Sequence, residues 1–242
     1  MRRIRLLTVA LAGMLVLGVM AFASMASAVE LKDPTGILPN PTAVKPVTFE
    51  IAQVNEGTLE TLSGKKVKCA KLKGSGEAKE LKLGTITLTF EGCKDEVGAE
   101  CIGLAKGEAK ETIVTKGEFH VVWGLLKNAF VPAITVLPEH THFTCGFGLV
   151  LVLVLGCVAG WVLSTDKLVK EFELHFQIEE KTKGDPDIPE FKKIGELKEE
   201  KCQLLTSVNE GAEESSAILQ LVKLKGFKQG GVSVEALLMY LT

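Results

Sequence analysis

Cys145-Gly-Phe-Gly-Leu-Val-Leu-Val-Leu-Val-Leu-Gly-Cys-Val-Ala-Gly-Trp-Val-Leu163 is the stretch on which the fold turns. It carries no charge, and its length approaches the roughly 20 residues that a membrane helix needs. Three readings compete: two consecutive buried strands turning near Gly156, a transmembrane helix, or a membrane-inserting hairpin. The strand reading is preferred. Valine at every second position of Leu149–Leu155 supplies the β-branched residues that suit a strand buried on both faces. Gly146, Gly148, Gly156 and Gly160 punctuate the block. A span here would also put residues 164–242 in the cytoplasm after a cleaved signal. Its flank, Ser164-Thr-Asp-Lys-Leu-Val-Lys-Glu171, has no clear excess of basic residues.

On either side of the block the pattern is of strands. Phe172, Leu174, Phe176 and Ile178 alternate with Glu173, His175 and Gln177, the clearest period-2 run in the chain. Ile86, Leu88 and Phe90 alternate with threonines in Thr85–Phe90, and Phe119 and Val121 flank His120. Val47–Val54 alternates through Phe49 and Ile51. Gly57–Leu62 and Lys66–Cys69 flank Ser63-Gly64, a hairpin turn signal. Lys198–Ser207, Ala217–Lys225 and Val232–Leu241 are weaker strands, the last two tolerating a helical reading. Lys183–Pro189 reads as a loop. Short strands between glycine-rich turns predict an all-β fold, an antiparallel β-barrel or β-sandwich, in a single domain over residues 47–242. Pro34, Pro39, Pro41 and Pro46 make residues 29–46 an extended lead-in.

The chain begins with the basic run Met1-Arg-Arg-Ile-Arg5, followed by an uncharged stretch from Leu6 to Ala23 and by Ala26-Ser-Ala28. This order is that of a secretory signal peptide over residues 1–28, cleaved after Ala28, with an uncleaved anchor as the alternative. Arg2-Arg3 lacks the rest of a twin-arginine motif, and no cysteine follows the cleavage site to take a lipid. The protein is therefore expected to be secreted, extracellular or at the cell surface.

Every arginine, Arg2, Arg3 and Arg5, lies in that segment. Cleavage would take the net charge from −2 to about −5 and leave lysine as the only strong base. An acidic chain without the rigid guanidinium fork is poorly suited to nucleic acid. Carbohydrate platforms are scarce too, since Trp123, Trp161 and Tyr240 are the only large aromatics besides phenylalanine. The six cysteines, Cys69, Cys93, Cys101, Cys145, Cys157 and Cys202, are an even set that reads as disulfides in an exported protein. The sequence leaves all fifteen pairings open. No C-x-x-C occurs, so redox and zinc-knuckle readings have no support.

Candidate chemistry is thin. On a strand, His140 and His142 would share a face and could meet one metal ion, with Glu139 and Cys145 nearby, but no third ligand has a metal-site spacing. Rim histidines are the preferred reading, and no cofactor is expected. His120 and His175 lie on polar strand faces. No G-x-S-x-G elbow, catalytic carboxylate pair or phosphate loop accompanies them. Gly74-Ser75-Gly76 reads as a turn.

Gly57-Thr-Leu-Glu-Thr-Leu-Ser-Gly-Lys-Lys-Val-Lys-Cys69, Gly74-Ser-Gly-Glu77 and Ile86-Thr-Leu-Thr-Phe-Glu-Gly-Cys93 with the nearby Cys101 resemble a family of uncharacterised secreted, cysteine-containing β-rich proteins of high-GC Gram-positive bacteria. Gly107–Thr115, Phe143-Thr-Cys-Gly146 and Phe227-Lys-Gln-Gly-Gly231 continue the likeness more loosely. The resemblance implies export and a β-rich domain and brings no activity, cofactor or catalytic residue. Cys157 and Cys202 depart from it, as does the apolar character after Gly146. It therefore implies a Cys157–Cys202 pair, with Cys93–Cys101 and Cys69–Cys145 for the others. The expected function is a non-enzymatic binding or structural module. The alternatives are a secreted hydrolase with an unfamiliar site, or a membrane-associated protein using residues 146–163, with contact through Phe147–Leu163. Ligand and partner are not named by the sequence.

Overall fold

The computed structural model describes residues 34–37, 46–80, 82–104, 112–162, 168–178, 184–193 and 199–240. The expected signal segment 1–28, with cleavage expected after Ala28, lies outside these residues, as does most of 29–46. So do Leu163 and the first half of Gly107–Thr115.

The described chain contains strands and no helix. In order they are β1 (Pro34–Ile37), β2 (Val47–Gln53), β3 (Gly57–Thr61), β4 (Lys66–Ala78), β5 (Leu83–Asp95), β6 (Cys101–Gly103) and β7 (Thr112–Leu126). There follow β8 (Ala129–Pro138), β9 (Thr141–Cys145), β10 (Val150–Gly156), β11 (Val158–Val162), β12 (Leu168–Val169) and β13 (Glu171–Phe176). The last are β14 (Glu190–Lys193), β15 (Glu199–Lys201), β16 (Leu204–Val208), β17 (Glu214–Gln229), β18 (Val232–Ser233) and β19 (Ala236–Tyr240).

The pairing closes two rings that share walls. In the first, antiparallel contacts run β13–β11–β8–β7–β5–β4–β2–β17 and return from β17 to β13. Leu224 of β17 lies across from Ile51 on one side and Phe172 on the other, which seals an eight-stranded barrel. In the second, β4 pairs β3, β3 pairs the start of β17, and the path continues through β16, β10, β9 and β6. The Lys94–Glu100 bridge joins the approach to β6 back to β5, and β5 pairs β4. Strands β4, β5 and β17 thus pass from one barrel into the other.

Inward and outward rows follow from alternation. The first barrel is filled by Phe49, Ile51, Leu72, Phe119, Ile134, Phe172, Leu174, Leu224 and Phe227, all buried. Its outer face carries Glu50, Lys73, Lys116, Glu118 and Lys225, all exposed. Apolar inside and charged outside is the reverse of a lipid-facing barrel. Phenylalanine packing at the centre requires glycine opposite. A Cβ on Gly76 would lie 2.2 Å from the Phe49 ring, and one on Gly84 would lie 2.6 Å from the Phe119 ring. The second barrel has its own core of Cys69, Cys93, Ile113, Phe143, Val152, Val154 and Leu204. Inward positions are even-numbered in β5 up to Phe90 and odd at Cys93. The switch falls at Gly92, whose φ of 62° is one that glycine adopts at no steric cost.

The apolar block is strand throughout its described part, but its two strands do not pair with each other. β10 lies between β9 and β16 in the second barrel, and β11 lies between β8 and β13 in the first. Gly156, at φ 103°, lets the chain cross between them, with Gln203 O 2.3 Å from where a Cβ would stand. Burial on both faces is corrected as well. Val152 and Val154 face the core, whereas Leu151, Leu153 and Leu155 are half-buried on the outward side. Ala217–Lys225 and Ala236–Tyr240 are strands, not helices. Within the proline-containing lead-in, β1 pairs β19, which also pairs β12.

All six cysteines are paired, and one pairing expected from the resemblance is present. Cys157 bonds Cys202, in a third apolar cluster with Ile188 and Phe191. The Cys93–Cys101 and Cys69–Cys145 pairs are corrected to Cys69–Cys93 and Cys101–Cys145. The reason is register. Cys69 faces Cys93 across β4–β5, and Cys101 faces Cys145 across β6–β9, so each bond closes a directly opposed pair.

Candidate functional site

The second barrel is open at one end, where four hairpin turns meet. These are the turns β3–β4, β5–β6, β9–β10 and β16–β17. Between them lies a cavity of ≈ 360 Å³ with Leu59, Val67, Val150, Val152 and Val208 in its walls. Lys65, Lys66, Asp95 and Glu96 form its polar edge. This volume falls in the range of small-molecule sites. Below it, at the junction of the two barrels, an apolar cavity of ≈ 100 Å³ is lined by Leu59, Val67, Phe90, Phe143, Val154 and Ile218. Leu59 and Val67 stand in the walls of both. A third space of ≈ 50 Å³ lies within the first barrel.

One polar side chain lies in the wall of both inner cavities. Gln220 is only 4% exposed, and its Nε2 has no hydrogen-bond partner. A buried amide donor left unpaired costs about 1–3 kcal/mol, so it calls for an explanation. Ala217–Lys225 shows how it arrives there. Ile218, Gln220, Val222 and Leu224 share the inward face of β17, and Gln220 is the polar member of an apolar row. That polar break in an apolar alternation is the signal the sequence carries for this position. The deep threonines are already engaged, since Thr115 and Thr141 hydrogen-bond to each other through their hydroxyls.

At the mouth, Glu214 fastens the β3–β4 turn to β17. Its carboxylate accepts hydrogen bonds from Ser63 N and Ser63 Oγ, both at 2.8 Å. Burial raises its pKa, but the Ser63 hydroxyl and N–H, with Thr61, outweigh this and hold it below the usual value. The Lys66–Glu60 contact at 3.2 Å completes this side.

The residues singled out from sequence do not converge. His140, just before β9, and His142, within it, are exposed, and neither lines these cavities. No group of three or more His, Cys, Asp or Glu side chains placed to hold a metal ion occurs among the described residues. His120 and His175 stand on outer faces beside Glu118 at 3.9 Å and Glu173 at 3.6 Å. His175 stacks on Trp161, with centroids 4.4 Å apart. The nearest approach to a hydrolase pair is Ser215 Oγ with Asp185 Oδ1 at 3.3 Å, in a cavity of ≈ 290 Å³ whose walls hold no histidine to take a proton.

No family model, curated protein or solved structure matches this chain. Among the described residues, no helix is long and apolar enough to cross a membrane.

Proposed function

We propose that this chain is an exported, non-enzymatic binding module that takes an uncharged, largely apolar small molecule into the lumen of its second barrel. The observation that carries the reading is the unpaired Gln220 amide, buried in the wall of a mainly apolar cavity that shares Leu59 and Val67 with an open mouth. A ligand carbonyl or hydroxyl accepting from Nε2 would satisfy the donor, and the valine and leucine walls would cover the ligand's hydrocarbon body. The mouth sets two lysines against two carboxylates at its edge, which does not select for a charged ligand. Three disulfides with no free cysteine suit an oxidising compartment, and the sequence of residues 1–28 supplies the export route.

Fluorescence titration with N-phenyl-1-naphthylamine, an uncharged probe, tests this. Long-chain alcohols should displace the probe better than alkanes of equal length. Gln220→Leu should remove most of that preference and keep the binding of the alkane. Val208→Trp, which fills the mouth, should abolish uptake. A protein that takes up no probe, or whose uptake is indifferent to Val208→Trp, refutes the lumen reading.

A further inference from the structure

Three of the four turns at the mouth carry apolar side chains that the fold does not use. Phe147 is 101% exposed, Val97 82% and Leu149 81%, the three highest values among the described large apolar residues. Leu62, on the β3–β4 turn, is 53% exposed. All four sit on turns whose neighbours line the mouth cavity. The β5–β6 and β9–β10 turns are tied together by Gly146 N donating to Glu100 O at 3.0 Å. Phe147 has φ 59°, a conformation rare for a large side chain, between Gly146 at 64° and Gly148 at 89°. The backbone accepts this cost and holds an aromatic ring in water, where it stabilises nothing in the fold.

We infer that the mouth end docks on a lipid surface, with Phe147, Leu149, Val97 and Leu62 entering the interfacial layer around the opening. A lipid surface fits better than a protein partner because the apolar points are spread over three turns around a hole. A fluid layer fills between such points, and a rigid partner would have to match each one. The turns carry Glu96, Glu100, Glu210 and Glu213 against Lys65. That excess of acid assigns a zwitterionic or uncharged headgroup layer and disfavours an anionic one. Docking would align the lumen with the hydrocarbon, so an apolar ligand could enter without crossing water. This last step rests on the lumen reading; the docking itself does not.

Flotation of the purified protein with phosphatidylcholine vesicles tests the docking. The protein should float with the vesicles, and less so when phosphatidylglycerol is added. Phe147→Asn/Leu149→Ser should lower partitioning at least about tenfold, because each side chain loses its burial in lipid. The double variant should melt no lower than the parent, since asparagine tolerates the left-handed backbone. Equal flotation of parent and variant, or none by either, overturns the inference. So does a capture that follows the same residues but needs a protein partner and no lipid. Naphthylamine uptake measured alongside separates the two readings. Uptake without flotation overturns docking alone, and flotation without uptake overturns the lumen alone.

Discussion

Gly76→Ala places one methyl group where the first barrel has no room for it. The added carbon would stand 2.2, 2.5 and 2.9 Å from three atoms of the Phe49 ring. Ordinary carbon contacts lie at about 3.5–4.0 Å, so the ring must retreat by about 1 Å or more. It cannot retreat freely. Phe49 is 3% exposed and is held by Phe119 at 5.6 Å and Phe227 at 6.0 Å between centroids. Overpacking of this kind costs about 1–3 kcal/mol. Removing a strand glycine returns about 0.5–1 kcal/mol through the unfolded chain, leaving a net loss of at most about 2.5 kcal/mol. For a domain of this size that is a fall in Tm of at most about 10 °C. Phe49→Leu alone should cost about 1–2 kcal/mol by leaving a void. In the double variant the new methyl group fills that void, so the two losses should fall short of their sum by about 1 kcal/mol or more. Urea unfolding with the disulfides intact measures all four proteins, and an unchanged m value confirms that only stability moved. A stabilised Gly76→Ala, or losses that add within about 0.5 kcal/mol, would show that Phe49 does not need the space opposite it.

Other consequences are open to measurement. Peptide mapping without reduction should recover Cys69–Cys93, Cys101–Cys145 and Cys157–Cys202; any linkage between Cys93 and Cys101 contradicts the β4–β5 register. Replacing Cys157 and Cys202 by alanine should lower stability to denaturant by about 2–4 kcal/mol. Gln220→Leu should raise the stability of the empty protein by about 1–2 kcal/mol, because an unpaired buried amide is exchanged for hydrocarbon; a loss would mean that the amide is satisfied. Glu214 has a lowered pKa, so its stabilising effect is present above the ordinary glutamate value of 4.5 and disappears as pH falls through the lower folded value. NMR titration should find its midpoint below 4.5, and Ser63→Ala should move it upward.

The strands were legible wherever one face is wet. Phe172–Phe176 and Thr85–Phe90 betray themselves by alternation because their outer residues meet solvent. The rings were not legible. Closure depends on Leu224 meeting both Ile51 and Phe172, contacts between residues far apart in the chain that no local period records. The block at 145–163 misled for a related reason. Two adjacent apolar strands suggest a hairpin, yet Gly156 sends β10 and β11 into different barrels. The disulfides followed strand register, which the sequence did not contain. At the site, Gln220 and Phe147 were each visible as a residue out of place, one polar in an apolar row and one aromatic between turn glycines. Their meaning depends on where the fold places them, Gln220 in a cavity wall and Phe147 on a turn at the mouth, and no local pattern records that.

Strand β17 has a further consequence for how the molecule is made. Synthesis delivers the chain from its N terminus, and β17 comes nearly last. Until it arrives, β2 and β13 face each other across an open seam in the first barrel, and β3 and β16 do so in the second. Four unpaired edges and two apolar interiors therefore await one segment of sixteen residues. A chain truncated before Glu214 has no half-measure available, since neither barrel closes without that strand. The same segment that lines the lumen is the latch for the whole domain, so folding must be late, concerted and exposed to aggregation until the final strand docks.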